Sequence, residues 1–279
     1  MKRIWPVLGL SLSMVGAFGA YRKYKSLTRA VKPTWPEVRH AGAVTQEMVD
    51  NLPEPVAQWL GKIGAIGREQ VMGVYVKQTG WMKTKPEQTE WAESKAEQYS
   101  FVEPPSFYWK ARMKMDGLSV TGSDSFRDGR AGMRIRFAGL VPISRSVPDG
   151  KLNESALQRF LMEMVWCPGL VFSPYVKFTK SSARSVDAEM TYNGSTAKVT
   201  FEFDEEGRMK RARAMRYKEV DEEAVRLPCI AEVHEWQHVD GIEIPLRADI
   251  TWLLDGRPFT WYKFTVEDAE INPRVPASW

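Results

Sequence analysis

The sequence predicts a mainly β protein of the α+β class, in which a curved antiparallel sheet or half-barrel packs against one helix and is preceded by an N-terminal membrane helix. The sheet is predicted from runs in which apolar and polar residues alternate, such as "SFYWKARMKM" and "GMRIRF". Turn signals separate these runs at intervals of roughly 8 to 12 residues, which is typical of an antiparallel sheet or barrel. One segment, "NESALQRFLMEMVWCPG", instead has the apolar spacing of a helix.

The N-terminus is predicted to be a membrane anchor over residues 1–25. The run from Ile4 to Ala20 has no charged residue and, at 17 residues, reaches the short end of the length that spans a bilayer. A cleaved signal peptide and a buried core helix are the alternatives. Basic residues after this run favour a cytoplasmic body, whereas Lys2 and Arg3 before it act against that orientation. We therefore predict a single-pass protein of the cell membrane that contacts lipid through this helix, with the side of the body left open.

Residues 26–70 are predicted to form a basic linker and a short helix, and residues 71–279 a β-rich domain. After Pro55 the sequence has helical spacing, and Gly64 is predicted to end that helix. Its apolar stripe is formed by Val56, Trp59, Leu60 and Ile63.

Turn dipeptides divide the β-rich domain into strands. Two-residue hairpin turns favour Asn-Gly and Asp-Gly, because both central residues adopt a left-handed backbone conformation. Such dipeptides occur at Asp116-Gly117, Asp128-Gly129, Asn193-Gly194, Asp240-Gly241 and Asp255-Gly256. They predict that sequential strands pair as antiparallel neighbours.

One strong helix interrupts the strands. It is predicted to begin at Asn153, a good N-cap residue, with Glu154 in the first turn, where an acid suits the helix dipole. Pro168 and Gly169 are predicted to end it. Its apolar stripe contains Leu157, Phe160, Leu161, Met164 and Val165.

The composition indicates a globular protein that does not bind nucleic acid. Apolar residues make up 43% of the chain and charged residues 27%. The net charge is +4, but the basic N-terminus accounts for it, and the nearly neutral body argues against a nucleic-acid partner. Cys167 and Cys229 are predicted to be buried free thiols, with a disulfide between them as the alternative. No cofactor is predicted.

The stretch "HEWQH", His234 to His238, matches the H-E-x-x-H pattern of zinc proteases. On a helix, residues four apart lie about 5–6 Å from each other and can share a zinc ion, whereas on a strand they are about 13 Å apart. The tight turn in "VDGIEIP" directly after the motif favours a strand. A zinc-dependent hydrolase that uses His234, Glu235 and His238 is kept as an alternative function, and no metal site is predicted.

Several segments taken together resemble a bacterial family described as a domain of unknown function. They are "AEQYSFVEPPSFYWKARM", "SDSFRDGRAGMRIRFAGLVP", "LQRFLMEMVWCP", "FEFDEEG" and "WQHVDGIEIPLRADITWLL". The hallmark of that family is an Arg-aromatic-Leu-x-Glu box ending in Trp-x-Pro, which corresponds here to Arg159, Phe160, Leu161, Glu163, Trp166 and Pro168. The resemblance covers roughly residues 51–273 and implies no established activity. The strand–helix order is also similar to the half-barrel of periplasmic lipoprotein carriers, which implies a curved sheet that holds acyl chains under a helical lid.

Six residues are predicted to contact a ligand, and none is predicted to be catalytic. Arg159 and Glu163 face the same way on the helix, so they either orient a ligand head group or fix the helix on the sheet. Asp124 is a candidate to form a carboxylate pair with Glu163. Large rings on the strands and at the helix end either fill the core or line an apolar cavity. The predicted ligand-binding residues are Arg159, Glu163, Trp166, Asp124, Trp109 and Trp252.

The run from Arg208 to Lys218 is the one basic segment of the body. It is predicted to be a strand whose charged face is solvated or ion-paired, in preference to contact with single-stranded nucleic acid or anionic lipid.

These features favour a membrane-anchored module that binds a lipid or another hydrophobic ligand. The alternatives are the zinc hydrolase and a structural or assembly protein that has no ligand. Whether the protein is an enzyme stays open, with the balance against it, and protein partners are unknown.

Overall fold

The computed structural model describes residues 38, 40–115, 118–137, 141–146, 149–219, 221 and 223–274. The predicted membrane anchor or signal at residues 1–25 lies outside the described residues. Among the described residues, no helix combines the length and the hydropathy needed to cross a membrane.

The described residues form thirteen strands in a single antiparallel sheet and three α-helices. The helices are α1 (Gln46–Asp50), α2 (Glu54–Lys62) and α3 (Gly150–Met162). The first six strands are β1 (Gly73–Met82), β2 (Ala92–Phe101), β3 (Ser106–Met115), β4 (Leu118–Arg127), β5 (Arg130–Phe137) and β6 (Val141–Ser146). The others are β7 (Val176–Ser182), β8 (Ser185–Tyr192), β9 (Ser195–Phe203), β10 (Met209–Tyr217), β11 (Arg226–Val239), β12 (Ile242–Leu254) and β13 (Arg257–Ile271).

The strand order is β6-β5-β4-β3-β2-β1-β13-β12-β11-β10-β9-β8-β7. The chain therefore makes two meanders, which meet where β1 pairs with β13. Strands β6 and β7 lie at opposite edges of the sheet, so the segment that joins them must cross a face of the sheet. Helix α3 lies in that segment and packs against the sheet.

Helix α3 packs mainly against β9 and β10 and also contacts β4 and β5. In a flat sheet, β4 and β9 would be about 38 Å apart, because they are separated by eight strand spacings of about 4.8 Å. A helix is only about 10–12 Å wide, so the sheet must curve around it. The turn at Gly129 also lies against the Asn193 side chain, which brings the β4–β5 and β8–β9 hairpins into contact. The predicted curved antiparallel sheet with one packed helix is confirmed.

The hairpin turns agree with the dipeptides that predicted them. Both residues of each turn have the left-handed backbone conformation at Asp128-Gly129, Asn193-Gly194, Asp240-Gly241 and Asp255-Gly256. Asp116-Gly117 lies outside the described residues.

Helix α3 begins one turn earlier than predicted. Its N-cap residue is Asp149, whose side chain accepts a hydrogen bond of 2.7 Å from the Leu152 backbone N–H. The prediction that Asn153 caps the helix was wrong, because Asp149 can supply the same capping oxygen four residues upstream. The Asn153 side chain instead accepts a 2.8 Å hydrogen bond from the Ala131 backbone N–H and so ties the helix to β5. After Met162 the chain continues as 3-10 turns at Glu163–Val165 and Pro168–Phe172.

Helix α3 also substitutes for a strand where the sheet separates. The pairing of β9 with β10 ends at Arg213, opposite Thr200. Beyond that point the Ser155 hydroxyl donates to the Tyr217 carbonyl at 2.7 Å, and the Gln158 amide donates to the Met215 carbonyl at 2.9 Å. Side chains of the helix therefore replace the missing strand as hydrogen-bond donors to β10, since buried carbonyl groups need donors.

The short helix α2 is part of the same hydrophobic core as the sheet. Its predicted stripe is fully buried and comprises Val56, Trp59, Leu60 and Ile63. A buried ion pair between Arg208 and Glu243, with Nε 2.8 Å from Oε2, lies beside it. The Glu243 backbone N–H also donates to the Ile63 carbonyl, so β12 and the end of α2 are joined directly. Cys167 and Cys229 are buried free thiols, as predicted.

Candidate ligand-binding site

A cavity of about 430 Å³ lies between helix α3 and the concave face of the sheet. This volume is within the usual range of about 300–1,000 Å³ for small-molecule sites. Nine large rings line it: Phe107, Trp109, Trp166, Tyr217, Trp252, Phe259, Trp261, Tyr262 and Phe264. Four methionines add flexible apolar surface: Met82, Met113, Met133 and Met162. The lining is therefore suited to an apolar ligand of variable shape.

All six residues predicted to contact a ligand line this one cavity. Arg159 and Glu163 come from α3 and its first 3-10 turn, and Trp166 follows directly. Strands β3, β4 and β12 contribute Trp109, Asp124 and Trp252, respectively. The sheet order brings these positions together, although Asp124 and Trp252 are more than a hundred residues apart in the chain.

Arg159 is the centre of a polar cluster in the cavity wall. Its Nε donates to Glu163 Oε1 at 2.8 Å, Nη1 to Asp124 Oδ2 at 2.9 Å and Nη2 to Gln98 Oε1 at 2.8 Å. The Gln98 amide nitrogen then donates to Glu163 Oε2 at 2.6 Å and to the Ser100 hydroxyl at 2.9 Å. Arg159 therefore joins the two predicted carboxylates through one guanidinium group. A guanidinium has five N–H donors, so two remain for a ligand or water beyond these contacts with described residues.

An aromatic floor lies under the Arg159 guanidinium. Its Cζ is 4.7 Å from the centre of the Phe107 ring and 5.3 Å from that of Trp109, within range of cation–π attraction. From Trp109 the rings continue through Tyr262 and Phe264 to Trp166, with successive centres 6.4, 4.9 and 6.3 Å apart. The polar cluster is therefore surrounded by apolar surface, a setting that strengthens its hydrogen bonds.

Arg216 supplies a second, half-buried cation on the β10 side. Its Cζ lies 5.5 Å from the Trp252 ring centre, and its Nε donates to the Ser155 carbonyl at 3.2 Å. Nη1 lies 3.6 Å from the Cys229 sulfur. Trp252, which was predicted to contact a ligand, thus also supports this second cation.

The cavity favours an anion in electrostatic terms. Four cationic and three acidic side chains line it, giving a formal charge of +1 when all are ionised: Lys83, Arg159, Arg216 and Lys218 against Asp124, Glu163 and Glu219. Burial raises the pKa of Asp124 and Glu163 raises it further, whereas Arg159 and Arg216 lower it without cancelling the rise. Protonation of Asp124 would make the cavity more positive. Burial lowers the pKa of Arg159, but Glu163 and Asp124 outweigh this effect, so the pKa is raised and the guanidinium stays charged.

Asp124 predicts a specific dependence of stability on pH. Because the folded protein holds the Asp124 proton more tightly than the unfolded chain, ionisation costs stability as the pH rises from the ordinary value of 3.8 through the raised pKa. We expect the free energy of unfolding of Asp124→Asn to improve relative to wild type between about pH 4 and pH 7, because asparagine does not ionise. Urea unfolding of both proteins across this range measures the difference. A difference that is constant with pH would contradict the raised pKa.

Several polar or aromatic lining residues were not predicted to contact a ligand, among them Gln98, Arg216, Tyr262 and Trp261. Gln98 alternates along β2 with small residues, and Arg216 follows Ala212 and Ala214 at alternate positions of β10, which is a usable signal of an inward polar site. Tyr262 donates a 3.1 Å hydrogen bond to Gln78 Oε1, and burial raises the pKa of its hydroxyl. Trp261 lines the cavity because the β12–β13 register shifts beside it, and such bulges turn a side chain to a different face.

The "HEWQH" stretch lies on strand β11, as predicted. The β11–β12 register shifts at His234, and His234 Nε2 lies 3.3 Å from Asp249 Oδ2. Four residues on a strand span about 13 Å, so His234 and His238 do not have the spacing of a zinc-protease pair. Among the described residues, no group of three His, Cys, Asp or Glu side chains is arranged to hold a metal ion.

The basic run on β10 has an ion-paired face, as predicted. Arg211 lies 2.9 Å from Glu232 and 3.7 Å from Glu202, and Arg213 lies 3.2 Å from Glu202. Lys210 also pairs with Glu232. The positive charge of this segment is therefore neutralised by glutamates of the adjacent strands.

Among the curated proteins, no sequence matches this chain. Among solved structures, the chain is similar to the crystal structure of a LolA superfamily protein from Nitrosomonas europaea, with 12% sequence identity and a TM-score of 0.41. The match covers 84% of this chain and 96% of that chain. The model of a family of unknown function, DUF6920, matches residues 50–271, so the chain belongs to that family.

Proposed function

We propose that this protein is a binding module for an apolar molecule that carries an anionic or hydrogen-bonding head group. The observation that supports the proposal is the cavity of about 430 Å³ under α3, with its aromatic and methionine lining. Filling such a cavity with an apolar ligand removes hydrophobic surface from water, which favours binding by about 25 cal/mol per Å².

The Arg159 cluster is the proposed binding site of the ligand head group. Arg159 is held by three acceptors on different elements, so its guanidinium is oriented before a ligand arrives. Guanidinium groups pair well with carboxylates and phosphates because they donate two parallel hydrogen bonds. A ligand carboxylate or phosphate would compete with Asp124, whose raised pKa favours release of the pair.

The N-terminal segment completes the proposal. We propose that residues 1–25 anchor the protein in the cell membrane, where apolar ligands are available. The short uncharged run with flanking basic residues supports this placement.

The proposal is tested by ligand binding in solution. Native mass spectrometry of the gently extracted full chain should detect a bound apolar molecule. Titration with a fluorescent anionic apolar dye, followed by displacement with a long-chain fatty acid, measures affinity. Failure to bind in both assays would contradict the proposal and favour a structural or assembly role.

Filling the cavity should weaken ligand binding while the protein stays folded. Ala248 is buried on β12 and lines the cavity, so Ala248→Phe places a ring in the space proposed for the ligand. We expect at least about a tenfold loss of dye and fatty-acid affinity. Ala183→Phe makes the same change in an exposed turn and should leave affinity unchanged. Equal affinities in the two variants would place the ligand elsewhere.

A further inference from the structure

The convex face of strands β3, β4 and β5 carries an excess of positive charge. These three strands contain seven basic residues: Lys110, Arg112, Lys114, Arg127, Arg130, Arg134 and Arg136. They contain one acid, Asp124, which lines the cavity on the concave face. The outward positions therefore carry cations with no acid among them.

The strand register assembles these cations into rows. Across β3, β4 and β5, one row is Lys110–Ser123–Arg134 and the next is Arg112–Thr121–Arg136. Lys110, Arg112, Lys114, Arg134 and Arg136 are all exposed, whereas Trp109 and Ala111, which alternate with them, are buried. Rows on one face are about 6.6 Å apart and neighbouring strands about 4.8 Å apart, so this basic face is a dense two-dimensional array.

The basic face differs from the basic run on β10. The arginines of β10 are paired with Glu202 and Glu232. For Arg112, Lys114, Arg134 and Arg136, in contrast, the structure contains no ion pair with any described residue. The positive charge of these four side chains is therefore available to an anionic partner.

We propose that the basic face of β3–β5 docks onto an anionic phospholipid bilayer. A bilayer presents many phosphates in one plane, which matches cations spread across three strands rather than along one groove. Each Lys or Arg close to an anionic leaflet adds attraction. Single-stranded nucleic acid requires stacked aromatic side chains, and the outward positions of these strands offer one ring, Tyr108. Docking through the convex face leaves the cavity on the opposite face, so this inference does not depend on the proposed ligand.

A site-specific label on the full chain tests the docking face separately from the N-terminal segment. Ser123→Cys places a bimane fluorophore between Lys110 and Arg134 in one of the basic rows, and the native thiols of Cys167 and Cys229 are buried. The probe surface is a phosphatidylcholine vesicle with or without phosphatidylglycerol, each containing a lipid with a spin-labelled head group. We expect quenching of the label in vesicles that contain phosphatidylglycerol and its loss at high salt. The same label at Thr196→Cys, on the other half of the sheet, should stay unquenched.

Charge-removing variants identify the residues responsible. In the Ser123→Cys background, the combined change Arg112→Gln, Arg134→Gln and Arg136→Gln should require at least about tenfold more vesicle lipid for half-maximal quenching. The matched control, Arg211→Gln with Arg213→Gln, removes two neutralised arginines and should change nothing. Equal quenching with and without phosphatidylglycerol, or full quenching in the triple variant, would overturn the proposal. Displacement from vesicles by single-stranded nucleic acid at lower concentration than lipid phosphate would also overturn it and assign the face to nucleic acid.

Discussion

Arg159→Met is expected to lower the free energy of unfolding by about 3 kcal/mol, because it breaks a buried ion pair from one side. The substitution keeps much of the side-chain length but removes the donor shared by Asp124, Glu163 and Gln98. The two carboxylates then lie close together without the guanidinium that bridges them in the wild-type protein. Since the side chains of Arg159 and Glu163 are only 18% and 21% exposed, water cannot fully compensate them. Denaturant unfolding of the purified chain measures the loss.

Two further variants distinguish the stability lost by disrupting the buried cluster from the stability lost by removing any arginine charge. Arg213→Met removes an arginine whose side chain is 52% exposed and paired with Glu202, and it should cost less than about 1 kcal/mol. Adding Asp124→Asn and Glu163→Gln to Arg159→Met should recover part of the stability, because neutral amides are easier to bury than lone carboxylates. Equal losses for Arg159→Met and Arg213→Met would show that the Arg159 cluster does not contribute as a buried network.

Gly80→Ala is expected to be destabilising by about 3 kcal/mol, at the upper end of the usual cost of overpacking. Gly80 lies on β1 where the two meanders meet, opposite Phe264 of β13. A Cβ atom at this position would lie 2.0 Å from the Lys263 carbonyl oxygen and 2.8 Å from the Phe264 Cα. Both atoms belong to the backbone of β13, so the clash cannot be relieved by a side-chain rotation. Glycine therefore permits the close approach that a strongly curved sheet needs at this seam.

The same chemical change in a helix provides the matched control. Gly61 lies in α2, and a Cβ there would meet only the Ile66 Cδ1 atom, at 3.8 Å. Gly61→Ala should therefore stabilise the protein by about 0.5–1 kcal/mol, because alanine loses less backbone entropy in a helix. Thermal unfolding of the two variants should shift in opposite directions. A Gly80→Ala protein as stable as wild type would mean that β13 does not pass this close to β1.

Local patterns were enough to predict the secondary structure around the site. The Asx-Gly dipeptides predicted the hairpins because they favour the left-handed backbone that two-residue turns require. The stripe on α2 predicted its buried face. The start of α3 was predicted one turn late, since Asp149 and Asn153 are both suitable N-caps and only the contact of Asn153 with β5 distinguishes them.

The polar cluster was predicted in part. The spacing of Arg159 and Glu163 on one helix face follows from the helix period, so their pairing was expected. Asp124 was a candidate partner of Glu163, and its contact with Arg159 was not predicted, because it depends on α3 crossing the sheet above β4. Gln98 and Arg216 were not predicted, because their inward direction depends on which face of each strand the curved sheet encloses.

The sequence by itself determined the class of fold, the positions of most turns and the amphipathic helix, because each depends on residues close together in the chain. Only the tertiary structure decided which charges are neutralised. The basic run of β10 meets Glu202 and Glu232 across strand pairs, whereas Arg112, Arg134 and Arg136 of β3 and β5 come together on one face of the sheet without an ion pair to a described residue. Cross-strand register joins residues that are distant in sequence. Neither the cavity that contains the Arg159 cluster nor the basic face can therefore be predicted from local sequence patterns.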